Sequence, residues 1–135
     1  MSEKTLSRGR TWVWAVALAA LAVQLLGVYL PGSAVPSETV IPNIDKVVHF
    51  LIFGVPAYLF ARLTGRPALV GAIFVAHGAA SEFIQGFIPG RDPDVFDFTA
   101  DAVGVLVAVT LVALQKRRSG APFRSPGPTG RLPLG

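Results

Sequence analysis

Four long apolar blocks, separated by short polar segments, constrain the fold of this chain more than any other feature. They cover about residues 12–30, 45–63, 67–88 and 95–114 of the 135. The first block is uncharged, and a helix needs about 20 apolar residues to cross the hydrocarbon core. Only 15% of the residues are charged, whereas soluble domains carry about 25% charge. We therefore predict an all-α integral membrane protein with four transmembrane helices in a compact bundle.

The flanking segments complete the predicted organisation. Residues 1–11 form a short basic segment, 12–118 the membrane domain, and 119–135 a tail rich in Pro and Gly that we expect to be disordered. A cleaved signal peptide is the alternative interpretation of the first block, because Gly32-Ser33-Ala34 resembles a signal-peptidase site. The block is longer than the usual apolar region of about 7–15 residues, which favours a retained helix.

The basic residues are concentrated on one side of this four-helix arrangement. Ten of the 12 Lys and Arg residues fall there, with a single acid, Glu3. The ten are Lys4, Arg8, Arg10, Arg62, Arg66, Lys116, Arg117, Arg118, Arg124 and Arg131. The positive-inside rule places both termini in the cytoplasm. The net charge of +4 thus reflects topology, and we expect no nucleic-acid partner.

Ionisable and amide side chains interrupt the apolar blocks at the opposite, outer side. They are Asp45, Lys46, His49, Glu82, Gln85, Arg91, Asp97 and Asp101. A charge inside a membrane costs at least about 2.5 kcal/mol, so such residues normally face protein or a water-filled cavity. Glu82 and Asp101 lie deepest and are the most informative. We predict that the eight residues line one outward-facing polar pocket.

Several polar residues also have a purely structural interpretation. Asp45 is equally well explained as a helix N-cap, since Asp is a preferred capping residue. Asp94 is better explained as an acid at the start of the fourth helix, and Arg91 as a partner of acids in its loop. His77, near the middle of the third block, is expected to form an interhelical hydrogen bond and not to bind a ligand.

Catalysis and metal binding are the two chemical alternatives at the predicted pocket. His49 or Glu82 is a candidate acid/base for a hydrolase or transferase. Carboxylates and imidazole suit zinc or manganese, but no segment has a metal-binding spacing such as His-Glu-x-x-His. The sequence therefore indicates no metal or other cofactor, and a divalent cation is the less favoured interpretation. The absence of cysteine excludes thiolate chemistry.

Two rows of small residues at four-residue spacing predict close helix contacts. One is Ala68, Ala72, Ala76 and Ala80, and the other is Ala100, Gly104 and Ala108. The rows serve contacts within one chain or between chains, so they leave the oligomeric state open.

Taken in order, the polar motifs resemble the VanZ-like family of small bacterial membrane proteins. The motifs are Asp45-Lys46-x-x-His49-Phe50-x-x-Phe53, Glu82-x-x-Gln85, Pro89-Gly90-Arg91 and Asp97-x-x-x-Asp101-x-x-Gly104. The resemblance covers about residues 10–115. It implies a multi-pass protein of the bacterial inner membrane, related to an accessory protein of teicoplanin resistance. Many relatives have Asn where this chain has Asp101, which adds a charge at that depth.

The resemblance and the pocket together predict recognition of a lipid-linked or peptidoglycan-related envelope component, with glycopeptide resistance as a consequence. The expected partners are the bilayer and a lipid-linked cell-wall precursor or glycopeptide. Lys46, His49 and Arg91 would bind phosphate or carboxylate groups, and the acids would bind amide or sugar groups. The alternatives are a membrane hydrolase or transferase acting on such a substrate, and a structural or partner-binding helix bundle.

Overall fold

Four α-helices make up the fold. The computed structural model of the protein describes residues 3–34 and 43–119. The helices are α1 (Glu3–Tyr29), α2 (Ile44–Thr64), α3 (Pro67–Gln85) and α4 (Val95–Ser119), with a short 3₁₀ turn at Gly32–Ala34. Each contains a segment long and apolar enough to cross a membrane. This confirms the predicted four-helix membrane fold, while the tail predicted to be disordered lies outside the described residues.

Turn chemistry determines where the helices end. Gly65 lies in the left-handed region (φ 66°) and donates its amide to Ala61 O, which closes α2. Pro67 then begins α3, as expected for a residue suited to the first turn. Helix α3 ends at Gln85, three residues before the predicted limit of its span. The amides of Phe87 and Ile88 donate to carbonyls three residues back, and the following Pro89 has no amide to continue a helix.

The C-terminal end of α4 extends five residues beyond the predicted span, to Ser119. Its last turn contains Lys116, Arg117 and Arg118, and cations are favourable at a helix C-terminus. Lys116 also donates to Gly65 O at 3.1 Å, and Arg62 donates to Gln115 Oε1 at 2.7 Å. The basic ends of α2 and α4 therefore lie together.

The closest helix contact joins α2 and α4 through glycine. A Cβ on Gly54 would come within 3.1 Å of Gly104 O, and a Cβ on Gly104 would collide with the backbone of Phe50. No side chain fits between these backbones, so the prediction from the Ala100–Gly104–Ala108 row is confirmed. The buried side chains around this contact include Phe53 and Val105.

The alanine row of α3 does not form the predicted seam within this chain. All four of its residues are exposed: Ala68, Ala72, Ala76 and Ala80. The buried small residues of α3 are Gly71, Gly78 and Ser81, and the two glycines face Val109 and Asp101 of α4. Four-residue spacing identifies a helix face without identifying its neighbour, so for this row the alternative of a contact between chains stays a prediction.

Helix α1 is held against α3 by a polar contact inside the bundle. Gln24 Nε2 lies 3.3 Å from His77 Nδ1, and Tyr29 Oη lies 3.0 Å from His77 Nε2. With its proton on Nε2, a neutral His77 accepts from Gln24 and donates to Tyr29. His77 also stacks on Phe53 at 5.6 Å. The interhelical role predicted for His77 is confirmed.

Candidate functional site

The polar residues converge where α2 and α4 begin and α3 ends. Lys46, in the first turns of α2, places its ammonium among three carboxylates. Its Nζ lies 2.8 Å from Asp45 Oδ2, 2.7 Å from Asp94 Oδ2 and 2.5 Å from Asp97 Oδ1. A lysine has three donor hydrogens, so these carboxylates use its full donor capacity.

His49 lies one turn deeper than Lys46 on the same face of α2, and it connects to α4. Its Nδ1 donates to Asp101 Oδ1 at 2.9 Å, and its Nε2 lies 3.6 Å from Asp97 Oδ2. Asp97 and Asp101 are themselves four residues apart, so they share a face of α4. The pairing follows from the glycine contact, because the backbone of Phe50, the residue after His49, lies against Gly104, which is one turn after Asp101.

Glu82 reaches the same region from the end of α3. Its Oε2 accepts the Asp94 amide at 2.8 Å, so it fixes the loop that leads into α4. Its other oxygen, Oε1, is buried and has no hydrogen-bond partner among the described residues. Gln85, one turn further along α3, is also buried, and its Nε2 has no such partner. Both residues have unused hydrogen-bonding capacity inside the protein.

Three of the converging residues form a compact group: His49, Glu82 and Asp101. Each offers one nitrogen or oxygen ligand atom, and these atoms all lie within 4.8 Å of one another. The residues are 9%, 8% and 1% exposed, respectively. We call them the inner triad. They come from three different helices, so only the folded bundle brings them together.

Asp94 connects the surface of the site to helix α4. Its Oδ1 accepts the Phe96 amide at 2.8 Å, which caps α4. Its Oδ2 binds Lys46. The Lys46 ammonium and then the Phe96 amide hold the pKa of Asp94 below its ordinary value. The capping role expected for Asp94 is therefore present, together with a contact that the sequence did not predict.

The predicted pocket residues occupy three different environments. Asp45 lies in the first turn of α2 and is the most exposed of the three carboxylates around Lys46. The N-cap position that was considered for Asp45 is occupied by Asn43. Arg91 does not join the contacts around Lys46 and His49. Its guanidinium instead donates to Leu30 O at 3.2 Å and to Gly27 O at 2.5 Å. It thereby binds the C-terminal carbonyls of α1. Lys46, His49, Glu82, Asp97 and Asp101 belong to the converging group, and Gln85 is buried in the last turn of α3.

An open apolar groove borders the site between α3 and α4. It has a volume of about 630 Å³, and Glu82 and Asp94 contribute polar groups to its lining. The apolar lining includes Phe83, Phe87 and Phe98. Phe83 and Phe87 are more than 70% exposed and pack edge-on at 5.4 Å. The groove lies at the ends of two helices that are long and apolar enough to cross a membrane, and exposed apolar surface of this kind is typical of a membrane or ligand contact.

The sequence did not identify Asp94, Gln24 and Tyr29 as parts of interhelical polar networks. Asp94 appeared to be only a helix cap, although its position beside Asp97 was a usable signal. Gln24 is a single amide in an otherwise apolar first block, and an amide within a transmembrane segment normally requires a partner. That requirement was the available signal for its contact with His77.

Comparison with known proteins identifies similarity over most of the chain. Residues 7–116 match the family model described as VanZ/LLP1. An uncharacterised protein of Schizosaccharomyces pombe is 34% identical over 86 residues, covering 58% of this chain and 52% of the relative. The chain thus spans about half the length of that curated relative. No solved structure matches.

Proposed function

Because the chain belongs to the VanZ/LLP1 family and has four helices able to cross a membrane, we propose that it binds the polar headgroup of a lipid-linked envelope component. The headgroup would occupy the site around Glu82, His49 and Asp101, on the outer side of the membrane. The lipid chain would lie in the groove between α3 and α4. The protein would then be a multi-pass recognition protein, located in the inner membrane if the source is bacterial.

The observation that carries this proposal is the junction of the groove with the buried acids. Glu82 belongs both to the lining of the groove and to the inner triad. An amphiphile that enters from the bilayer would meet aromatic side chains first and carboxylates at the end of the groove. Sites for amphiphilic ligands combine a mostly apolar lining with a few converging polar groups in this way.

The charged groups favour a headgroup with many hydrogen-bond donors. Lys46 is bound by three carboxylates, and Arg91 is bound to α1, so neither resembles a free phosphate-binding cation. Glu82 Oε1 and Asp101 Oδ2 are buried acceptors without a partner among the described residues. Carboxylates bind hydroxyl and amide donors through strong charge-assisted hydrogen bonds. Lipid-linked sugars and peptides supply such donors.

The similarity to a yeast protein bears on the ligand. It shows that proteins like this one are not restricted to bacteria, so a lipid-linked headgroup is a better candidate than a feature found only in peptidoglycan. In a bacterium, the protein would bind a lipid-linked cell-wall precursor and compete with glycopeptides for it. The protein would thereby raise tolerance to teicoplanin.

The proposal is tested by binding of a polyprenyl-linked sugar phosphate to the purified protein in detergent, followed by native mass spectrometry. We expect one bound lipid per chain in the wild type and at least a tenfold loss in Glu82→Gln, on the order of 1.4 kcal/mol. Arg62→Gln, at the opposite end of α2, is the matched control and should bind normally. Equal binding by the wild type and Glu82→Gln would contradict the proposal.

A membrane hydrolase or transferase is a second candidate, favoured by the contact between His49 and Asp101. A carboxylate that accepts from one imidazole nitrogen orients the ring and leaves the other nitrogen for proton transfer. Release of phosphate or sugar from the same lipid, abolished in His49→Gln, would identify an enzyme. Stable equimolar binding without product would identify a recognition protein. If neither binding nor turnover occurs and Glu82→Gln only lowers the Tm, the cluster has a structural role.

A further inference from the structure

We propose that the inner triad, His49, Glu82 and Asp101, binds one divalent transition-metal ion of the zinc or manganese class. This inference concerns the same location as the proposed lipid-headgroup site, and its consequence for lipid binding rests on that proposed function. The metal site itself stands on the arrangement of three side chains from α2, α3 and α4.

Unused ligand capacity at depth is the first observation. Asp101 Oδ2 and Glu82 Oε1 are both buried and lack a hydrogen-bond partner among the described residues. Asp101 is 1% exposed and Glu82 is 8% exposed. A buried carboxylate oxygen without a partner is unfavourable, and buried charges are usually paired or coordinate metals. A cation among these oxygens would satisfy both.

The charge of the site is the second observation. Five carboxylates lie around Lys46 and His49: Asp45, Glu82, Asp94, Asp97 and Asp101. Lys46 lies close to three of them, and its Nζ contacts are with Asp45, Asp94 and Asp97. Glu82 and Asp101 therefore lack a direct contact with lysine. A divalent cation would balance the two deep carboxylates, while Lys46 balances the outer ones.

The donor set and its dimensions indicate the class of metal. One imidazole nitrogen with two carboxylate oxygens suits zinc or manganese better than calcium, which prefers oxygen ligands alone. In a tetrahedral site with bonds of about 2.0–2.2 Å, the ligand atoms are about 3.4 Å apart. The ligand atoms of the triad lie within 4.8 Å of one another, so small side-chain rotations bring them to coordinating distance. Three protein ligands leave one position open.

The open position has a consequence for the proposed function. The site around the triad is rich in carboxylates, which repel an anionic headgroup. A bound divalent ion would reverse that repulsion locally and accept a phosphate oxygen of the lipid at its open position. The metal would therefore strengthen the binding of headgroups that are linked through phosphate.

The test uses the full chain in detergent with the metal alone. Metal-depleted protein is titrated with Zn²⁺ and with Mn²⁺ by calorimetry, and bound metal is counted by elemental analysis. We expect about one ion per chain, with affinity reduced at least tenfold in Glu82→Gln and in Asp101→Asn, because removing even an outer-shell partner of a ligand costs about 10–100-fold. Asp45→Asn, an acid at the exposed edge, should bind like the wild type.

The variants must be folded for this comparison, so each is first checked by circular dichroism and by size-exclusion elution. A metal-dependent rise in the Tm of the wild type gives a second measurement that requires no variant, and its absence would overturn the proposal. Equal affinity in Asp45→Asn and Asp101→Asn, or a preference for Ca²⁺ over Zn²⁺ and Mn²⁺, would also overturn it. Lipid binding without metal binding would refute the metal site alone, and metal binding without lipid binding would refute only the proposed function.

Discussion

His49 and Asp101 are 52 residues apart in the chain, yet their side chains meet inside the bundle at 2.9 Å. Gly104 approaches the backbone of Phe50 directly beside this contact, one residue after His49 and one helical turn after Asp101. The close packing of α2 on α4 therefore fixes the geometry of the polar site. A substitution that changes only the apolar packing between α2 and α4 should therefore also shift the positions of the polar side chains in the site.

Replacing Gly104 with Val should separate α2 from α4. The new side chain would collide with the carbonyl of Phe50, and overpacking of this kind costs about 1–3 kcal/mol. We expect a lower Tm in detergent and a loss of headgroup or metal binding at the site. Ala76→Val adds bulk on the exposed face of α3 and should leave both unchanged. Normal stability in Gly104→Val would show that the two backbones are not held in contact.

Lys46→Gln should destabilise the protein although the substitution removes a charge from a membrane-spanning helix. Three carboxylates within 2.8 Å would lose their shared cation, and unpaired partly buried groups cost about 1–3 kcal/mol. Chemical denaturation in detergent measures the effect. Asp45→Asn removes only the most exposed partner of Lys46 and should cost less than about 1 kcal/mol. Equal losses in the two variants would contradict the central position of Lys46.

Asp94 should contribute a pH-dependent part of the stability. Its pKa in the folded protein is lowered by Lys46 and by the Phe96 amide. Its stabilising contribution is therefore fully present above the unfolded pKa of about 3.9, and it is lost as the pH falls through the lower folded value. Asp94→Asn should show a smaller decrease in Tm between about pH 5 and pH 3 than the wild type. The same decrease in Tm in Asp94→Asn and the wild type would show that Asp94 does not contribute to the loss of stability at low pH.

His77→Leu should loosen α1 from the rest of the bundle. The substitution leaves Gln24 and Tyr29 without their interhelical partner, which we expect to cost about 1–2 kcal/mol. The variant should have a lower Tm in detergent, and disulfide cross-linking between Cys pairs placed in α1 and α3 should become slower. His77→Gln retains hydrogen-bonding groups and serves as the matched control. Equal stability of the Leu and Gln variants would contradict a hydrogen-bonding role.

Orientation in the membrane can be tested with single cysteines, because the chain has none of its own. Asp92→Cys lies in the loop beside the polar site, and Ser119→Cys lies at the basic end of α4. The positive-inside rule predicts that a membrane-impermeant maleimide labels Asp92→Cys in intact cells and labels Ser119→Cys only after lysis. Labelling in the reverse order would place the polar site on the cytoplasmic side.

Much of the fold could be predicted from local features of the sequence. Helix length and apolar content predict the four helices, because crossing a bilayer requires only that about 20 successive residues be apolar and helical. The helix ends were less accurate. Gln85 ends α3 through turn hydrogen bonds that depend on the residues after it, and the charged segment from Gln115 to Ser119 continues α4 beyond the apolar block.

The candidate site could be predicted only in part. The depth of Glu82 and Asp101 in apolar blocks correctly indicated that they are buried, because an exposed charge at that depth is too costly. The same logic did not apply to Arg91. It lies in a loop, where several backbone carbonyls and carboxylates were equally available, and the fold places it against the end of α1.

By itself, the sequence determined that this chain forms four apolar helices with acids collected at one end and bases at the other, since hydropathy and charge are properties of each segment alone. Only the tertiary structure decided how each helix is rotated about its axis and which neighbour it meets. That rotation depends on side-chain packing between distant segments, such as Gly54 against Gly104. It buries Gly71 and Gly78 of α3 in place of the alanine row, and it brings His49, Glu82 and Asp101 into one group.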